Sequence, residues 1–128
     1  MPINFNINGN ESEIPDIAAL QASLAAMPPS QFVELWISGH AESSLCLLRS
    51  SDRAFLMFLR FSGDSGFTSR AGDAFAQRTD DLEFALYNGQ HDYYPAAWTV
   101  PLEEAIAAFE HYFQTGQQLP SIHWHDDS

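Results

Sequence analysis

The sequence predicts an α+β fold, an antiparallel-rich sheet of about six to seven strands with two helices packed on it. Three observations carry this. Short runs alternate apolar and polar residues, two longer stretches repeat apolar residues at three- and four-residue spacing, and turn-forming residues separate them. A length of 128 residues, 45% of them hydrophobic, suits a single domain over residues 1–128 with a core that needs no staples.

At the N-terminus Ile3, Phe5 and Ile7 alternate with Asn4, Asn6 and Asn8, a strand that stops at Gly9. Glu11 to Glu13 read as an acidic lead-in to a helix with Pro15 near its first position and Asp16 in its first turn. Ile17, Leu20, Leu24 and Met27 form its apolar seam, and Pro28-Pro29 ends it. Strands follow at Gln31–Ser38, Ser44–Arg49 and Arg53–Phe61, joined by Ser38-Gly39-His40-Ala41 and Ser50-Ser51-Asp52. Ala54–Leu59 is apolar on both faces, which places it centrally with a helix over at least one side. Ser62 to Asp81 holds three glycines and four aspartates and is too long for an ordinary hairpin loop, so it reads as functional or mobile. Glu83–Tyr87 returns as a strand, Asn88-Gly89 marks a tight turn, and Tyr93–Val100 leads onward. Pro95 makes that last strand an edge or an irregular one.

The stretch from Trp98 to Trp124 reads as strand end, helix, stop and returning strand. Leu102, Ala105, Ile106, Phe109, Tyr112 and Phe113 fall on one helical stripe. Pro101 suits the entrance, Glu103 and Glu104 oppose the helix dipole, Gly116 closes the helix and Pro120 prevents its resumption. Ser121–Trp124 alternates as a short strand. The ordered set Val100, Pro101, Glu103, Glu104, Ala105, then Phe113, Thr115, Gly116, Leu119, Pro120, Ile122 and Trp124 resembles the immunity proteins that protect bacteria from their own deaminase toxins. The resemblance covers roughly the last quarter of the chain. It implies a protein without catalysis or cofactor, whose partner is a cognate deaminase-type toxin domain.

Charge narrows the partners independently. Seventeen acids face five arginines and no lysine, for a formal charge of −12. Such a surface repels nucleic acid and acidic membranes and attracts basic proteins. The single cysteine, Cys46, excludes an internal disulfide and a thiolate-rich zinc site, and within Leu45–Leu48 it reads as a small buried apolar residue. No basic leader and no long apolar run is visible, so the expected location is the cytoplasm.

Several motifs have plain readings. His40-Ala41-Glu42 has the H-x-E spacing of zinc deaminases, but no P-C-x-x-C follows, so it reads as turn residues. Gly63-Asp64-Ser65-Gly66 looks like a serine-protease nucleophile loop, yet only 24 residues separate His40 from Ser65, and a glycine-rich loop is the simpler reading. His123 and His125 with Asp126 and Asp127 have metal-ligand chemistry but read as a frayed polar terminus, so no metal is expected. Trp36, Trp98 and Trp124 read as core.

A toxin acting on nucleic acid carries a basic groove for phosphates, and an acidic inhibitor is steered to it. The expected contact surface joins Asp64, Asp73, Asp80, Asp81 and Asp92 with the anchors Phe67, Phe75, His91, Tyr93 and Tyr94 around the two loops. An acidic DNA mimic aimed at another nucleic-acid-binding protein fits the charge equally well. A small hydrolase built on His40 and Ser65 is the third reading.

Overall fold

In the computed structural model, which describes residues 2–128, the doubly apolar run Ala54–Leu59 lies inside the sheet with a layer on each side. In chain order the elements are β1 Ile3–Ile7, β2 Asn10–Ile14, α1 Ile17–Ala25, β3 Phe32–Ser38, β4 Ser44–Ser50, β5 Arg53–Leu59 and β6 Phe67–Arg70. They continue with β7 Asp81–Ala85, β8 His91–Pro95, β9 Val100–Pro101, α2 Leu102–Thr115 and β10 His123–Asp126. Eight strands make one sheet in the order β10-β6-β5-β4-β3-β1-β2, with β9 also on β5, and β7 and β8 form a separate ribbon. Every pairing is antiparallel. The α+β class is therefore as expected, with one or two strands more.

Alternation along β5 divides the protein into layers. Ala54, Leu56 and Phe58 point to the face covered by the helices, where they meet Leu20 and Leu24 of α1 and Ala105, Ala108, Phe109 and Tyr112 of α2. Phe55 points the other way, into a smaller cluster with Cys46, Leu48 and Phe84, roofed by the β7–β8 ribbon. The α2 stripe is the expected one: Phe109 and Tyr112 are fully enclosed, while Ile106 and Trp124, expected to be buried, are half-buried at its margin. Gly116 closes α2 at φ 73°, and a Cβ there would come within 2.8 Å of His40 Cβ, so both conformation and space call for glycine.

The boundaries differ where the local signal is weak. Glu11 to Glu13 belong to β2, an edge strand paired along its length with β1. Only Ile14 of it is buried, so it carries no apolar alternation to read. Asp16 is the α1 cap rather than a first-turn residue, accepting from Ala19 N at 2.8 Å. The Ser62–Asp81 stretch contains β6 and a short 3-10 helix, Ala74–Gln77. The strand expected at Glu83–Tyr87 sits two residues earlier. The Tyr93–Val100 run breaks after Pro95 into a 3-10 turn before β9. The terminal residues are β10, paired with β6 from His123 to Asp126, rather than a frayed end.

Candidate functional site

The β7–β8 ribbon sorts its residues by face. Leu82 pairs with Tyr94 and Phe84 with Asp92, and this side packs inward, with Tyr94 stacked on Phe55 at 4.2 Å between ring centroids. Burial, and secondarily the Asp92 charge, push the Tyr94 phenol pKa up. Asp81, Glu83, His91 and Tyr93 share the opposite, outward side. Tyr93 is 62% exposed, and His91 Nδ1 lies 2.6 Å from Glu83 Oε2. Three expected contact residues, Asp81, His91 and Tyr93, are thus brought together on one solvent-facing surface. Glu83 joins them; its position two residues from Asp81 in a strand was the available signal.

The other acids are engaged by arginines. Arg53 is buried and holds Asp73 through two hydrogen bonds, of 2.7 and 3.3 Å, while its remaining donors go to Thr99. Phe75 is sandwiched between Arg53 and Arg78, whose guanidinium carbons lie 3.7 and 4.4 Å from its ring centre. Arg78 in turn holds Asp80. These bonds pull the Asp73 and Asp80 carboxyls below their ordinary pKa. The segment adjoins the ribbon through Ala96 N, which donates to the Asp80 carbonyl. Asp64 and Phe67 lie elsewhere. Two bonds from the Arg60 side chain, at 2.8 and 2.9 Å, and one from its backbone N–H hold the Asp64 carboxyl far below the usual carboxylate range. Phe67 packs on Phe58 on the helix-covered face. Asp92 is half-buried and accepts from the Gln90 side-chain amide at 2.8 Å. Arg60 with Asp64 and Arg78 with Asp80 are pairs of near neighbours in sequence, whereas Arg53 and Asp73 are twenty residues apart and are brought together only by the fold.

Glu34, like Glu83, was not among the expected contact residues. It is the lone charge in the β3 strand and is buried, accepting from Trp36 Nε1 at 2.8 Å and from Tyr87 N at 3.3 Å. It thereby ties the ribbon tip to the sheet, where Tyr87 also covers Gly9.

His40 is occupied structurally. Its Nε2 lies 2.7 Å from the Phe113 carbonyl and so carries the proton, while its ring meets Tyr112 edge-on. Tyr112 OH donates to the Ser43 carbonyl at 2.9 Å, joining the β3–β4 turn to the end of α2. Glu42 and Ser65 are exposed. Among the described residues, no group of three or more His, Cys, Asp or Glu side chains is placed to hold a metal ion, and no helix is long and apolar enough to cross a membrane.

Residues 10–126 match the family model described as immunity protein Imm1. None of the curated proteins matches the chain.

Proposed function

The chain belongs to the immunity protein Imm1 family, whose role is to neutralise a toxin, and we propose that its target is a nucleic-acid deaminase whose active-site cleft it occludes. Inhibition proceeds by occupation in the cytoplasm, with neither chemistry nor cofactor. The observation that carries this reading is the family match over residues 10–126, joined to the ordered C-terminal motif that ends at Trp124. Charge supplies the physical route: a chain of −12 is drawn to a groove built for phosphates. The commitment of His40 to the α2 terminus speaks against a hydrolase built on that residue.

The contact surface we propose centres on the outward ribbon face. Tyr93 serves as its aromatic anchor and Asp81, Glu83 and His91 as its polar surround. The ribbon hydrogen-bonds to itself and reaches the sheet through its inner side, so its outer residues are free of any role in the core. Asp73, Phe75 and Asp80 flank it as a pre-ordered border, and Asp92 and Tyr94 support it from within.

The test is to capture the partner with the tagged chain in the producing cell and to measure residual deamination of single- and double-stranded substrate. Stoichiometric inhibition with a stable complex is expected. Undiminished deamination in excess folded protein would refute the pairing.

A further inference from the structure

The ribbon covers only part of its sheet face. Beyond it, the strand register lines up Glu13, Asn4, Ser38, Ser44 and Leu59 in one cross-strand row from β2 to β5. The neighbouring row carries Glu11, Asn6, Trp36, Cys46 and Met57. Side chains in one row share a face, and the first row is mostly small and polar beside the large indole of the second. The result is a trough of about 560 Å³ floored by Asn4, Ser38, Ser44 and Leu59, with Trp36 along it and Glu42 at its rim.

Its chemistry selects one kind of guest. Among the described residues, Glu42 is the only charged one lining the trough, and the exposed Glu11 and Glu13 continue from Asn6 and Asn4 on the same face. The volume is that of a small-ligand cleft, enough for a side chain and the loop that bears it. A guanidinium stacks on an indole, and its forked donors match hydroxyl, amide and carboxylate acceptors, which a lysine ammonium does less well. We propose that this trough receives an arginine carried on a loop of the toxin's phosphate-binding surface. The proposal rests on the deaminase reading for its partner; it commits the open sheet face, as well as the ribbon, to the interface.

Two measurements test it. Titration of the intact protein with N-acetyl-L-arginine amide, followed by nitrogen-edited NMR, is expected to give saturable shifts at the Trp36 indole and the Ser38 and Ser44 amides. Ser44→Arg, which fills the trough with the chain's own guanidinium, is expected to abolish them. The same variant is expected to weaken toxin binding on the order of tenfold or more. Ala22→Arg, adding equal charge on the exposed side of α1, is expected to leave binding unchanged. Shifts that are absent from the trough or do not saturate overturn the proposal, as does a folded Ser44→Arg variant that binds like the parent. Should the parent bind no deaminase, the functional reading falls, and the arginine titration alone decides the trough.

Discussion

At the scale of single residues, the structure turns on polar groups whose partners lie far away in sequence. Glu34 accepts from an indole and a backbone N–H while largely excluded from water. Glu34→Ala leaves both donors without a partner and is expected to cost about 1–3 kcal/mol. Chemical denaturation measures that loss, and an unchanged midpoint would show the ribbon tip to be held by other means. Asp64 offers a pH-dependent counterpart. Its carboxyl is depressed in the folded chain by Arg60, so the bond stabilises the fold wherever the unfolded carboxyl is ionised, above about pH 4. That gain fades only as pH falls toward the lower folded value. Melting temperatures of the parent and Asp64→Asn are thus expected to differ by a constant amount from pH 7 to 5 and to converge below pH 4. Burial first, and the Glu34 charge second, push the Cys46 thiol pKa up, which is the state of an inert core cysteine.

At the scale of elements, α2 and the ribbon do different work. Phe109 sits at the centre of the helix stripe with no exposure, and Phe109→Ala is expected to cost about 3–5 kcal/mol. Trp124 is half-buried, with its indole N–H bonded to the Leu119 carbonyl at 3.0 Å, so Trp124→Ala is expected to fall well short of that. Equal losses in urea unfolding would contradict this ordering. The ribbon's outer residues have no such packing role. Tyr93→Ala is expected to leave the melting temperature within a degree or two while speeding dissociation of the toxin. A binding trace unchanged from the parent's would remove Tyr93 from the interface. The α2 helix was legible in the sequence because its stripe, proline entrance and glycine exit are all local. The β2 strand was not, because a polar edge strand is held by backbone pairing to β1 and shows no periodic apolar face.

At the scale of the whole molecule, the acidic field is spread rather than gathered in the Ser62–Asp92 region. Asp64, Asp73 and Asp80 are paired with arginines, whereas exposed carboxylates stand at Glu11, Glu13, Glu42, Asp52, Asp81 and Glu103. Association with a basic partner is expected to slow steeply as salt is added, with dissociation changing little. Neutralising Asp81 with Glu42 is expected to lower the association rate more than neutralising Asp64 with Asp73, since the latter pair already have cationic partners. Stopped-flow association at two ionic strengths checks both statements, and a salt-independent rate would remove electrostatic steering from the mechanism.

By itself the sequence determined the α+β class, the double-sided core strand around Ala54–Leu59, the boundaries of α2 and the acidic character. Each depends on periodicity, capping chemistry or composition, which act over a few residues or over none in particular. Only the tertiary structure decided which acids are free, which ribbon face looks outward, and that Asn4, Ser38, Ser44 and Trp36 border one trough. Those outcomes depend on strand order and register, and register is set by burial across the whole sheet, where a shift of one residue moves every side chain to the other face.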